Sequence, residues 1–413
     1  PAISPETEAL VMRAVEYEVE KRFATATEFK LAIQRVLGQS APSASGSPLI
    51  LSKSQDVSPV WQFACEDEVR SSPTVRDGAL YIGCYDNNLY ALDAENGKLR
   101  WVSEVLRGRD PTVRKPNSPA TPTAVVAENR IFAYFGNVGL AAVESGGKVL
   151  WTNRRLPFLS GFGPGPSPIY RDGILVIVAD HMRKRAGPQP YVAAIEAATG
   201  KEIWRVLRPW PSQPQASYAT ALIYREKDHD IVAVQGWDDV RGYDLRTGRE
   251  CWVYPFRHGG RHLVAGIGYA KGVIFVSGYR EIRALSTQKL MAGKDPLLWR
   301  CPLRGEKCAT PIYAEGLLFG VTEAGVAFCV RARTGKLLWR KRLPGRYFAS
   351  PVVAGDKVYF ISEKGKVTVV QKAGTFFLVS RSDLRDRVYA TPAPHGEALV
   401  VRTEKAVLYF SKR

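Results

Sequence analysis

The stretch LYALDAENGKLRW, Leu89 to Trp101, is an alternating apolar strand, a tight turn centred on a glycine, and a second strand that ends in tryptophan. It recurs in the same phase as YVAAIEAATGKEIW ending at Trp204, VRGYDLRTGRECW ending at Trp252 and VAFCVRARTGKLLW ending at Trp339, with a shortened AAVESGGKVLW ending at Trp151. A hairpin connection needs positive φ, which glycine adopts without steric cost. The unit is therefore a β-hairpin with a tryptophan on its second strand. Its recurrence at intervals of 40 to 53 residues governs the whole fold.

Each hairpin is preceded by two further strands. The first is marked by a proline or small-residue signal at Ser72–Val75, Thr121–Ala124, Ser167–Tyr170, Ala219–Ile223, Val264–Tyr269, Thr310–Tyr313, Ser350–Val353 and Thr391–Pro394. Turns such as Asp77-Gly78, Asp172-Gly173 and Glu315-Gly316 lead into second strands rich in β-branched and aromatic residues. Four strands per unit, repeated eight times, predict an all-β fold, an eight-bladed β-propeller of four-stranded blades. Fourth strands end near Trp101, Trp151, Trp204, Trp252, Trp299, Trp339 and Val379, while the last unit, Tyr389 to Phe410, supplies three strands and stops. Pro59 to Phe63, with Trp61, has no unit before it and is expected to close the ring as the outer strand of the last blade. The seven outer-strand tryptophans, Trp61 included, are read as structural docking residues.

The outer-strand tryptophan together with the preceding [LIV]-x-A-[LIV]-[DE]-x-x-[TN]-G-[KR] is similar to the repeat of quinoprotein-type propellers, the PQQ-like repeat family, over about 350 residues. That family includes quinone-dependent dehydrogenases, the lipoprotein of outer-membrane protein assembly, and sensor domains fused to bacterial kinases, so the resemblance implies the fold and leaves the role open. Its dehydrogenases hold the quinone with a vicinal disulfide, a tryptophan floor and a calcium site of acid and amide side chains. Here no two cysteines are adjacent, and all tryptophans except Trp210 and Trp237 fall on outer strands. No catalytic residue, metal or cofactor is therefore expected.

Residues 1–37 read differently. Ser4, Pro5 and Glu6 suit an N-cap, a first-turn proline and an acidic first turn, and Thr25 to Glu28 reads T-A-T-E, a capping box before the stripe Phe29, Ala32, Ile33, Val36 and Leu37. This short α-helical N-terminal segment resembles the last two helices of a bacterial serine/threonine protein kinase domain, on Arg22, Phe23, Ala26, Glu28 and Phe29. Glu18 and Val19 stand where the family has Asp-Pro. The chain carries no H-R-D, D-F-G or glycine-rich ATP loop, so the resemblance implies a C-lobe remnant without an active site and a kinase domain in cis. Residues 38–58, rich in Ser, Pro, Ala and Gly, read as a linker, which leaves 59–413 for the propeller.

The 413 residues are 45% hydrophobic and 24% charged, enough to bury a core, and no run approaches the roughly 18 to 20 apolar residues of a membrane span. The six cysteines are scattered without a C-x-x-C, which reads as reduced thiols and favours a cytoplasmic compartment. Of the net charge of +18, residues 1–58 contribute −1 (seven acids against six Lys and Arg), so the remainder carries +19. Such an excess points to an anionic partner or to a soluble basic surface, with nucleic acid as one option.

Chemistry-bearing patterns are few. His258 and His262 have a metal-compatible spacing but fall in a predicted loop, read as solvated; the prolines of GFGPGP, Gly161 to Pro166, remove the amides of a phosphate cradle and leave a stiff turn; Cys301 and Cys308 read as two buried thiols. Loop length is more telling. Connections are long at 107–118, 154–166, 208–217 and 256–262, and at 181–190 inside the third unit; in a propeller these all emerge on one face. They carry Arg107, Arg109, Arg114, Lys115, Arg154, Arg155, Arg183, Lys184, Arg185, Arg208, Arg257 and Arg261, with Trp210, Trp237 and Tyr279 near the same rim. Arginine beside exposed aromatics suits a protein partner or an anionic small ligand. The expected function is a non-catalytic ligand-sensing or protein-interaction propeller, the sensor module of a serine/threonine kinase; the alternatives are a scaffold like the outer-membrane assembly lipoprotein and a quinone enzyme.

Overall fold

A computed structural model describes residues 58–64, 71–84, 88–108, 120–181, 188–213, 215–260 and 263–411. The expectations for residues 1–37 and 38–57 lie outside these residues. Thirty-two strands, numbered in chain order from β1 (Trp61–Ala64) to β32 (Ala406–Phe410), form eight four-stranded sheets. Blade 1 is β2 (Thr74–Arg76), β3 (Ala79–Gly83), β4 (Asn88–Asp93) and β5 (Leu99–Glu104), all antiparallel neighbours, and the same order repeats around the ring. In most blades the two middle strands are largely buried on both faces, fully so in Ile174–Ala179, because adjacent blades cover them; they therefore read as apolar runs. Outer strands such as β5 alternate instead, since one side faces solvent.

Blade 8 is assembled from both ends of the described chain. β1 pairs with β32 in the register Trp61 opposite Tyr409 to Ala64 opposite Ala406, and the two rings stack at 5.2 Å. The ring closes as the strand count requires.

The repeated tryptophan has a specific job. Six indoles donate the Nε1 proton to a carbonyl of the turn in the following blade: Trp61 to Ala94 (3.3 Å), Trp101 to Ser145 (2.7 Å), Trp151 to Ala197 (3.1 Å), Trp204 to Leu245 (2.9 Å), Trp299 to Ala332 (2.8 Å) and Trp339 to Ala373 (3.2 Å), and the first five lie on the glycine of that turn. A Cβ built on Gly200 would stand 2.4 Å from the Trp151 ring, so the glycine is required by contact as well as by its φ of 72°. Directly opposite the indole the partner strand carries a small residue, for example Ala91 across from Trp101, followed by a bulge. In blade 7 Ser380 stands at that register position, across from Val369. Blade 8 has no hairpin for an indole to cover, because its third and fourth strands come from opposite ends of the chain.

Trp252 departs from the pattern. It donates to the hydroxyl of Tyr224 in its own blade (3.0 Å), because the next blade has no glycine turn at that place. A short helix α1 (Thr287–Met291), capped by the Ser286 hydroxyl on the Lys289 amide, stands there, and its Leu290 packs in the same core cluster as Trp252. This helix departs from the four-strand repeat expected along the whole ring.

A second set of fastenings runs around the axis. At the start of each first strand an amide donates to a hydroxyl in the next blade: Ser72 to Thr123, Thr123 to Ser167, Ser167 to Thr220, Gly266 to Thr310, Thr310 to Ser350, Ser350 to Thr391 and Thr391 back to Ser72, at 2.8 to 3.1 Å. The one missing link is from Thr220, since the next position is Gly266, which has no hydroxyl.

Candidate interaction face

The connections from a blade's fourth strand to the next blade's first, and those between second and third strands, zip together on one face through backbone bonds. His258 donates to the Trp237 carbonyl (2.9 Å), Tyr279 to His258 (2.9 Å), Gly305 to Tyr279 (2.8 Å), Glu323 to Glu306 (2.8 Å), Tyr347 to Glu323 (2.9 Å) and Glu363 to Arg346 (2.7 Å). From the blade 4 loop at Trp237 to the blade 7 loop at Glu363, these bonds let each described loop satisfy an amide of its neighbour.

The cations expected on this face divide. Arg109, Arg114, Lys115, Arg183, Lys184, Arg185 and Arg261 lie outside the described residues, as does His262. Arg107 is exposed and pairs with Glu104 at 2.8 Å. Arg154 straps loops together, donating to the carbonyls of Val138 (3.2 Å) and Arg107 (3.0 Å). Arg155 is exposed, with its carbonyl accepting from Arg205 (2.9 Å). Arg257 keeps 62% of its side chain in solvent, 3.7 Å from the Asp238 carboxylate.

Arg208 and Trp237 are corrections, because neither is an exposed rim residue. Arg208 is buried, with Nε 2.7 Å from Asp180, Nη2 3.3 Å from Asp239 and Nη1 donating to Tyr243 at 2.9 Å. Burial opposes its charge, but Asp180, Tyr243 and Asp239 outweigh that and raise its pKa. Burial likewise raises the pKa of Asp180, against the pull of Arg208. A guanidinium spent on the buried Asp180 and the partly buried Asp239 holds loops in register and is not available to a ligand. Trp237 is buried against His258, ring centroids 5.3 Å apart, and its indole N–H has no acceptor among the described residues. His258 is itself buried rather than solvated, and its Nδ1 accepts the Gly260 amide at 3.2 Å. Trp210 is half-buried over the same cleft as Asp180, His181 and Arg208.

One buried cation went unnoticed in the sequence. The Lys307 ammonium donates its three protons to the carbonyls of Leu303 (2.5 Å), Gly278 (2.8 Å) and Gly305 (3.1 Å), with that of Tyr279 at 3.5 Å, and burial pushes its pKa down to about 8. Cys301 and Cys308 are free buried thiols, the latter pushed up to about 12 by burial. The GFGPGP segment packs as a turn, with Pro164 against Gly136 and Gly165 against Tyr218.

The model of the family described as outer membrane protein assembly factor BamB matches residues 43–152, 117–289, 236–377 and 290–409. A tetrathionate hydrolase of Acidithiobacillus ferrooxidans is 26% identical over 231 residues, 53% of this chain, and the matched part is 43% of that enzyme, less than half its length. Among solved structures, BamB from Moraxella catarrhalis superposes with a TM-score of 0.64 at 11% identity, covering 87% of this chain and 98% of that one. Quinohemoprotein alcohol dehydrogenase from Comamonas testosteroni gives a TM-score of 0.66 at 13% identity, covering 87% and 77%. Both structural likenesses are to the fold.

Proposed function

The chain belongs to the family described as outer membrane protein assembly factor BamB, and from that premise we propose that it is a non-catalytic interaction propeller, the sensor module of a cytoplasmic bacterial serine/threonine kinase. The observation that carries the non-catalytic reading is the use made of the buried charges. Arg208, Asp180, Asp239 and Lys307 are consumed in fastening one loop to the next. Catalysis draws on perturbed groups left free to act on a substrate, and these are taken up by one another or by main-chain carbonyls. The exposed arginines of the same face are left for a partner. A scaffold role like that of the family's namesake shares this surface and differs in what it assembles.

The kinase part rests on the helical pattern of residues 4–37. The test is the reading frame upstream of Pro1, followed by autophosphorylation of the full product against a version ending before Trp61. An upstream frame without H-R-D and D-F-G, or a kinase whose rate and ligand response ignore the propeller, would sink that reading. Alcohol oxidation by the chain supplied with pyrroloquinoline quinone and calcium would overturn the non-catalytic one.

A further inference from the structure

Among the eight seams between blades, the one from blade 4 to blade 5 departs from the repeat twice. Thr220 has no hydroxyl to meet, because Gly266 stands at the next position, and Trp252 turns back into its own blade because α1 occupies the place of the glycine turn. On the loop face above this seam opens a cleft of about 490 Å³, a size that takes a small ligand or one or two side chains. Its walls include Trp237, Phe256 and His258. Gly278 closes it beneath, where a Cβ would come within 2.9 Å of the Phe256 ring.

Two arginines stand on the lips, one from each side of the seam. Arg257 comes from the connection leaving blade 4, and Arg280 from the loop inside blade 5. Among the described residues no carboxylate lies within 4.0 Å of the exposed Arg280 guanidinium, and Arg257 is only loosely paired to Asp238. The third arginine, Arg283, is already neutralised by Glu281 at 2.5 Å. Among the described residues that line the cleft, three arginines stand against the single carboxylate of Glu281, so the lining is net positive and suits a carboxylate.

We propose that this cleft receives a carboxylate side chain from an acidic segment of the partner protein, clamped between Arg257 and Arg280. The inference rests on the interaction reading above and assigns it a place. It is tested with a fluorescein-labelled peptide of alternating glutamate and leucine, followed by fluorescence polarisation at low salt, with the glutamine counterpart as control. The expected result is binding of the glutamate peptide, about tenfold weaker with Arg280→Glu or Arg257→Glu, partly kept with Arg280→Lys, and unchanged with Arg381→Glu, an exposed arginine on the outer strand of blade 7. Both lip residues are exposed, so the variants should melt like the parent. Equal binding of the glutamine peptide, equal loss with Arg381→Glu, or no loss with Arg280→Glu would overturn the proposal. A kinase that still responds to the propeller when Arg280→Glu is introduced would remove the cleft and leave the interaction reading standing; a kinase indifferent to the whole propeller removes that reading itself.

Discussion

Lys307 shows how a single side chain can stand in for a bound ion. Its ammonium satisfies carbonyls from the blade 5 loop and from the connection that follows it, groups that would otherwise face one another with like dipoles. Lys307→Ala should cost about 2 to 4 kcal/mol in urea denaturation, because buried carbonyls lose their donor. Ammonium chloride should restore part of the loss, whereas tetramethylammonium, too large and without N–H, should restore none. The pKa has a sign to check. The folded value of about 8 lies below the ordinary 10.5, so between those values the unfolded chain holds a proton that the folded chain has released. Stability from this group therefore rises with pH across that window, and denaturation at pH 7.5, 9 and 10 should show a slope that K307A lacks. None of this is legible in the sequence. The partners of Lys307 are main-chain carbonyls, which no residue letter announces. Arg208 misled for a related reason: its position in a long loop suggests a rim cation, and only the fold brings Asp180 and Asp239 to it.

At the scale of the hairpin the sequence speaks plainly, because both halves of the fastening are letters at fixed spacing. The tryptophan and the turn glycine recur in phase, and the structure adds that where the two meet, from Trp61 on Gly97 to Trp299 on Gly335, the tryptophan serves the next blade's glycine rather than its own. Two glycines separate the causes. Gly173 has φ 79° with nothing within 4 Å of a built Cβ, while Gly200 has φ 72° and the Trp151 ring at 2.4 Å. Gly173→Ala should cost about 1 kcal/mol from backbone strain alone. Gly200→Ala should cost a further 1 to 3 kcal/mol, roughly, from overpacking, measured by urea midpoints. The ring of hydroxyls was half visible, since Ser and Thr beside proline mark the first strands, but the cross-blade bond cannot be inferred without the blades in place. Its gap makes a third prediction. Gly266→Ser offers the Thr220 amide an acceptor, with a built Cβ 3.3 Å from the Thr220 carbonyl, and should raise stability by about 0.5 to 1.5 kcal/mol. The same change should stiffen the seam beneath the proposed cleft. Helix α1 escaped notice because STQKLM is too short to show a helical period.

The whole ring was countable from the chain because three strands at its end and one at its beginning leave a single consistent closure. The long loops of blades 2 to 5 were likewise countable, but where their side chains point was not: of the described candidate cations Arg107, Arg154, Arg155 and Arg257 are exposed, Arg154 with its guanidinium spent on two loop carbonyls, and Arg208 is buried. The positive charge is therefore a weaker guide to the site than the place where the repeat fails. Closure has one more outcome, which concerns force. Trp61 at the start of β1 lies beside Tyr409 near the end of β32, so the chain enters and leaves blade 8 at the same end of one strand pair. Tension between the two ends would load the bonds of that pair one after another, as in a zip, instead of all together in shear. Blade 7 presents Ser380 in place of an indole, so no staple backs up blade 8 from that side. Held by its ends in an optical trap, the propeller should release β1 at low force before any other blade yields. A circular permutant that joins 411 to 58 and opens the chain at Gly200 should move that first rupture to the hairpin of blade 3. If so, anything tethered ahead of Trp61 could tug the ring open without disturbing the interaction face.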